Sequence, residues 1–195
     1  TRVAYLRQVP GAAVRRVEAG GYGGEGDVLL TTTPRVPLAI FTADCLTVVV
    51  YDPPGGRLAL AHVGWRGTVK GAARAAVGAL AREGARPADL HAAIFPSIGP
   101  CCYEVDRPVI EPLRAAFPDR WEVWATSVRP GQWRLDLWAA NEFQLASAGV
   151  RADRIANPRL CTGCRTDLFF SYRKEGSHGR LVTVAALPAV TEDSP

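Results

Sequence analysis

A long apolar run in the first third of the chain constrains the fold most. Residues 38–51 read LAIFTADCLTVVVY and are rich in the β-branched side chains that favour a buried strand. A turn follows at Pro53-Pro54-Gly55-Gly56, and residues 57–63 then have the pattern of a return strand. We therefore predict a β-hairpin at the centre of the core.

Helical and strand patterns are mixed along the rest of the chain. We predict helices at residues 68–83, 109–117 and 135–148, and strands at residues 92–98 and 181–187. This mixture predicts an α/β (mixed α+β) fold, with a mixed β-sheet and flanking helices. No repeat or linker divides the sequence, so we expect residues 1–195 to form a single domain.

Composition and charge disfavour several classes of partner. No apolar run is long enough to cross a bilayer, and the N-terminus lacks the pattern of a signal peptide, so we expect no membrane association and a cytoplasmic location. The net charge is +4, but the arginines are scattered rather than clustered into a stripe. Nucleic acid is therefore not an expected partner.

Two polar residues interrupt the apolar run, and they point to a site. Thr42 and Asp44, which come just before Cys45, would be costly in a buried strand unless something satisfies them. The predicted hairpin would bring Cys45 towards His62, with Arg66 nearby. Cys45 or His62 alone fits a core residue, but the two together favour an active site, with Cys45, His62 and Asp44 as candidate catalytic residues.

Several residues could bind an anionic or aromatic ligand. Gly64 and Gly67 would let the backbone approach a ligand, and a helix beginning after Gly67 would offer N–H groups to an anion. We predict Arg66, Arg173 and Arg180 as phosphate ligands and Tyr172 as a residue that packs on a base.

The remaining cysteines leave several roles open. Five cysteines without an export signal argue against a disulfide framework. The pair Cys101-Cys102 fits metal ligands or the lining of a rigid turn, and Cys161-Thr162-Gly163-Cys164 fits half of a zinc knuckle or a redox pair. A single CxxC without a second ligand pair is weak support, so we do not predict a structural zinc ion there.

Taken in order, these motifs resemble those of one protein family. TADC, HVGWRG, IGPCCYEV and CTGC-x-x-DLFFSYR followed by GR are similar to the YfiH-type family, also called the multicopper polyphenol oxidase or laccase-domain family. The resemblance implies a single α/β domain, likened to cysteine hydrolase toxins of the cytotoxic-necrotizing-factor type. It further implies phosphorolysis of purine nucleosides (adenosine, inosine, guanosine), with adenosine deamination beside it, and some members are described as peptidoglycan editing factors.

The same resemblance implies a zinc cofactor. Carried over to this sequence, Cys45 and His62 would be two of its ligands. The third family ligand is the histidine of a Gln-Val-His-Gly motif, but this chain has Gln8-Val9-Pro10-Gly11, and the segment before the motif is shorter than usual. Proline offers no ligating side-chain atom, so the third protein ligand is missing at Pro10. Either another residue completes the site, for which His178 is the only candidate, or zinc binds weakly or not at all.

Three functions follow from these observations. The first is a zinc-assisted purine nucleoside phosphorylase whose partners are a purine nucleoside and phosphate. The second is a metal-free hydrolase in which Cys45 is the nucleophile and His62 the base. The third is a catalytically degenerate homologue that binds a purine. Copper oxidase chemistry ranks last, because three histidines are too few for multicopper sites.

Overall fold

A computed structural model describes residues 2–189 of the chain. The strands are β1 Ala4–Gln8, β2 Val14–Arg16, β3 Gly21–Gly26, β4 Val28–Thr31, β5 Leu38–Thr42, β6 Leu46–Asp52, β7 Arg57–Val63, β8 His91–Ile94, β9 Glu104–Asp106, β10 Ala125–Arg129, β11 Gln132–Leu135, β12 Ile155–Ala156 and β13 Leu181–Ala185. The helices are α1 Trp65–Lys70, α2 Ala72–Arg82, α3 Arg107–Ala116, α4 Trp121–Trp124, α5 Leu137–Ser147 and α6 Tyr172–Glu175.

The strands form sheets that contain both parallel and antiparallel pairs. The largest has the order β12-β8-β6-β7-β4-β2, a second has the order β13-β5-β1-β3, and a small third sheet has the order β10-β11-β9. Helices pack outside these sheets. The predicted class, an α/β fold with mixed sheets and flanking helices, is confirmed.

The core has two layers because the side chains of β7 alternate between its two faces. Ala59, Ala61 and Val63 point into a cluster shared with α2 and α5, whereas Leu58 and Leu60 pack into a second cluster with β1 and β5. The central sheet is therefore covered by helices on one face and by the second sheet on the other.

The predicted hairpin is present, but the apolar run that begins it is two strands. β6 and β7 pair antiparallel through the Pro53–Gly56 turn, as expected. The single strand predicted over residues 38–51 is wrong, because β5 pairs with β13 and β1 whereas β6 joins the large sheet. The chain changes sheets at Asp44, whose φ of 82° lies in the left-handed region and breaks the extended conformation.

The helix predicted over residues 68–83 is also divided. Its first part begins at Trp65 rather than after Gly67, and Gly71, with φ 76°, separates α1 from α2. The strand predicted over residues 92–98 ends at Ile94. Within residues 2–189, none of the helices has both the length and the apolar character that a membrane crossing requires.

Candidate active site

The β6–β7 hairpin brings Cys45 and His62 together. Leu46 lies opposite Val63 in the register, and Cys45 precedes β6 on the side of Gly64. A Cβ atom on Gly64 would lie 2.9 Å from the Sγ atom of Cys45, so glycine leaves the space that the thiol occupies. Cys45 and His62 line the same cavity.

Asp27 fixes the position and the ring orientation of His62. The Nδ1 atom of His62 lies 3.0 Å from Oδ1 of Asp27, and the backbone N–H of His62 donates to the carbonyl oxygen of Asp27 at 2.8 Å. The second carboxylate oxygen of Asp27 accepts a hydrogen bond from the backbone N–H of Gly11. Asp27 is fully buried, so this carboxylate is held in one place between β3 and β4.

This environment favours the charged imidazolium. Burial lowers the pKa of His62, but the hydrogen bonds with Asp27 and Cys45 outweigh it and raise the pKa to about 9. Because Nδ1 is bonded to Asp27, Nε2 is the ring nitrogen left to face Cys45 or a ligand. The chain without metal thus carries a positive charge beside Cys45 at neutral pH.

A small cavity of about 160 Å³ opens beside these groups. Arg66 contributes to its lining, and its guanidinium stacks on the ring of Trp65 with Cζ 4.1 Å from the ring centroid. The volume is below the roughly 300 Å³ at which complete small-molecule sites begin. It suits a phosphate-sized group better than a whole nucleoside. The lining residues are Pro10, Asp27, Cys45, His62, Gly64, Trp65, Arg66 and Gly67.

Asp44 lies next to Cys45, but its carboxylate bonds elsewhere. One oxygen accepts from the hydroxyl of Thr162 at 2.7 Å, and the other accepts from the backbone N–H of Arg173 at 2.7 Å. This buried carboxylate therefore ties the 162–173 segment to the start of β6.

The other three predicted ligand-binding residues lie outside the cavity lining. Arg173 donates through its guanidinium to the carbonyl oxygen of Glu104 at 2.5 Å and borders a separate cavity of about 290 Å³. Tyr172 is 58% exposed at the start of α6. Arg180 is exposed and donates to the carbonyl oxygen of Gly179.

Two further residues of this region, Asp27 and Tyr103, were not predicted from the sequence. Asp27 lies directly before the buried apolar residues of β4. An acidic side chain at the edge of a buried strand is a sequence signal that could have indicated this residue. Tyr103 is buried, with the Arg173 guanidinium 5.2 Å from its ring centroid, and it also lies within electrostatic range of Cys45 and Arg66. Burial raises the pKa of Tyr103, so its side chain remains a neutral phenol.

The residues present do not complete the expected zinc site at Cys45. A histidine whose Nδ1 is bonded to a carboxylate is the usual arrangement for a zinc ligand, and Cys45 is a suitable second donor. However, Pro10 lines the same cavity at the position where the family has its other histidine. Two protein donors are one fewer than a catalytic zinc ion takes, so the set does not fit.

A separate group of side chains can hold a metal ion. The Sγ atoms of Cys101, Cys102, Cys161 and Cys164 all lie within 4.8 Å of one another. In the part of the chain that the structure describes, all five cysteines are free of disulfide bonds.

Fold and site together define an α/β protein with a cysteine, a histidine and an arginine around one small cavity. A sequence model of the multi-copper polyphenol oxidoreductase laccase family matches residues 1–188. The chain belongs to this family, which confirms the resemblance to YfiH-type proteins.

Relatives with assigned names are similar over most of the chain. The purine nucleoside phosphorylase YlmD of Geobacillus stearothermophilus is 38% identical over 187 residues, covering 90% of this chain and 68% of its own length. Its crystal structure superposes with a TM-score of 0.90 over 96% of this chain and 74% of that chain, at 36% identity. A purine nucleoside phosphorylase of Deinococcus radiodurans is 41% identical, covering 95% of this chain and 70% of its own length. The adenosine deaminase RL5 of an unknown prokaryotic organism is 36% identical, covering 80% of this chain and 60% of its own length.

Proposed function

We propose that this protein is a purine nucleoside phosphorylase acting on adenosine, inosine or guanosine, with the Cys45–His62 cavity as its reaction centre. The names of its relatives supply the reaction class. The observation that carries the proposal is the group formed by Asp27, His62 and Arg66. A proton donor of fixed orientation and a guanidinium share a cavity of phosphate size.

Phosphorolysis involves negative charge on two groups, the attacking phosphate and the departing purine. A phosphate oxygen forms a bond to C1′ of the ribose while the bond from C1′ to the purine nitrogen breaks. The purine leaves with a proton. In our proposal Arg66 pairs with the phosphate, since a guanidinium is a bidentate partner for its oxygens. His62, oriented by Asp27, supplies the proton or a hydrogen bond to the departing purine.

Arg173 borders the second cavity, of about 290 Å³, and its guanidinium lies 5.2 Å from the ring centroid of Tyr103. We retain Arg173 as a ligand of the phosphate or ribose. Tyr172 and Arg180 stay predictions for base packing and phosphate binding. Both are exposed, Tyr172 directly before Arg173 and Arg180 after it.

Zinc at Cys45 and His62 also stays a prediction that rests on the resemblance. With Pro10 in the cavity, a third donor would have to come from another group. The steps proposed above use the side chains of the chain itself.

A specific arrangement favours a second candidate function, a metal-free cysteine hydrolase. Cys45, His62 and Asp27 stand in the order nucleophile, base and orienting carboxylate, which is the order of a catalytic triad. Hydrolytic removal of the adenosine amino group, the reaction class of the deaminase relative, belongs to this alternative.

One assay separates these functions. The purified chain is incubated with inosine or adenosine, with and without phosphate, and free purine, ribose 1-phosphate and ammonia are measured. Phosphate-dependent release of purine that is lost in Cys45→Ala and His62→Ala supports phosphorolysis. Ammonia release without phosphate supports the hydrolase.

A matched histidine provides the control. His91 is exposed at the start of β8 and lies outside the cavity lining, so His91→Ala should keep wild-type activity.

Purine binding by calorimetry without any turnover would instead identify a degenerate homologue. Equal activity of wild type and Cys45→Ala would refute the assignment of this cavity.

A further inference from the structure

Four cysteine sulfurs converge at a point outside the Cys45–His62 cavity. The Sγ atom of Cys164 lies 3.4 Å from that of Cys101 and 3.5 Å from that of Cys102, and all four sulfurs lie within 4.8 Å of one another. In a tetrahedral zinc site with Zn–S bonds of about 2.3 Å, neighbouring sulfurs are about 3.8 Å apart. The two closest separations are slightly shorter than this spacing, and all four sulfurs lie within reach of a single zinc ion.

The backbone around the four sulfurs is built to bring two turns together. Ser97 forms a parallel β-bridge with Cys161, and the backbone N–H of Thr162 donates to the carbonyl oxygen of Ser97 at 3.1 Å. A Cβ atom on Gly163 would lie 3.0 Å from Cβ of Cys102 and 3.2 Å from its Sγ. Glycine in CTGC therefore lets the two cysteine-bearing turns approach each other.

One sulfur already receives a backbone hydrogen bond. The N–H of Gly99 donates to the Sγ atom of Cys161 at 3.2 Å, and Cys161 is buried. Hydrogen bonds of this kind orient metal ligands and offset their negative charge. The second ligand pair that the lone CxxC lacked in the sequence is thus supplied by Cys101 and Cys102.

We propose that Cys101, Cys102, Cys161 and Cys164 form a structural zinc site. An all-sulfur tetrahedral donor set selects zinc or iron among the biological metals. Four protein ligands close the coordination sphere and leave no position for a substrate, which is the pattern of a structural rather than a catalytic ion.

The position of this site links it to the reaction centre. Thr162, between the two cysteines of CTGC, donates to Asp44, and Asp44 is the neighbour of Cys45. Asp44 also accepts from the backbone N–H of Arg173. A zinc ion at the four cysteines would therefore anchor the segment that carries Arg173 against the start of β6.

The test is the metal content of the chain, purified under reducing conditions without added metal. The fifth cysteine gives the matched control, because Cys45→Ser removes a thiol and any metal bound at the other cavity. We expect about one zinc ion per chain in Cys45→Ser. We expect that ion to be absent from the double variant with Cys45→Ser and Cys164→Ser.

A second measurement keeps the proposal testable if the double variant does not fold. The Cys45→Ser chain is stripped of metal and titrated with Co²⁺, and saturation at one equivalent with strong thiolate-to-cobalt absorption supports a tetrathiolate site. Zinc-free Cys45→Ser protein, stoichiometric iron, or a mass two hydrogens below that of the reduced chain would each overturn the proposal. The last outcome would show a disulfide between the clustered cysteines.

Discussion

The contact between Asp27 and His62 makes a quantitative prediction for Asp27→Asn. The buried carboxylate accepts from the N–H of Gly11 with one oxygen and from Nδ1 of His62 with the other. Asparagine has nearly the same shape but only one acceptor oxygen. If that oxygen keeps the Gly11 bond, the amide NH₂ group faces the Nδ1–H group, and two donors meet unless the imidazolium loses its proton.

The size of the effect follows from the loss of one charged hydrogen bond. Hydrogen bonds to charged groups contribute about 1.5–3 kcal/mol, so we expect the free energy of unfolding to fall by about 2–3 kcal/mol. For a chain of this length each kcal/mol shifts Tm by about 2–4 °C, which gives a decrease of about 4–12 °C. Urea denaturation of the metal-stripped protein measures the free energy, and calorimetry measures Tm.

The pH dependence of stability provides an independent check on the same contact. The pKa of His62 is raised to about 9 in the folded chain, against about 6.5 when unfolded. The stabilisation that the charged His62 ring gives the folded chain is therefore complete below pH 6.5, and it is lost as the pH rises through 9. Asp27→Asn should flatten this part of the stability profile.

A surface pair gives the matched control for Asp27→Asn. Asp153 is bonded to Arg151 at an exposed position, so Asp153→Asn should leave the free energy of unfolding close to that of the wild type. The reasoning would be refuted if Asp27→Asn unfolded like Asp153→Asn, or if it kept the wild-type pH profile.

Three further substitutions test the surroundings of the site. Gly64→Ala places a Cβ atom 2.9 Å from the Sγ atom of Cys45, so we expect the free energy of unfolding to fall by about 1–3 kcal/mol. The rate at which iodoacetamide alkylates Cys45 should also change. A wild-type Tm together with a wild-type alkylation rate would contradict the contact. Thr162→Val removes a donor to the buried carboxylate of Asp44 and should lower the free energy of unfolding, measured by urea denaturation, by about 1–3 kcal/mol. An unchanged midpoint of the urea transition would argue against the hydrogen bond. Pro10→His adds a third donor to the cavity and should raise the affinity for a second zinc ion, beyond the one proposed at the four cysteines, measured by competition with a chelator. Equal affinity for that second ion would show that the imidazole does not reach the metal.

The central hairpin could be predicted because its signals are local. Alternating apolar residues on both sides of a Pro-Pro-Gly-Gly turn specify two antiparallel strands, and their register then brings Cys45 near His62. The helix ends were less accurate because tertiary packing places the break at Gly71, within a segment whose alanine-rich pattern continues on both sides.

Contacts between distant segments could not be predicted in the same way. Asp27 reaches His62 across 35 positions, and the Cys101 and Cys164 sulfurs meet across 63 positions. Nothing in the spacing of either pair encodes the contact, because it depends on how separate turns are brought together. The sequence disfavours a structural zinc ion for this reason, because it shows each cysteine pair but not that the two pairs converge.

The buried position of Asp44 has a structural explanation that differs from the catalytic role predicted for it. Its place in an apolar run marked it as a candidate catalytic residue beside Cys45. The structure places its carboxylate on Thr162 and the backbone N–H of Arg173, while its positive φ moves the chain from one sheet to another. The cost of burying this carboxylate is offset by two hydrogen bonds from a segment more than one hundred positions away. Asp44 therefore positions Cys45 at the start of β6 and holds the 162–173 segment beside it. Because Thr162 lies between Cys161 and Cys164, a rearrangement of the four cysteines would change its hydrogen bond to Asp44 beside the Cys45–His62 cavity.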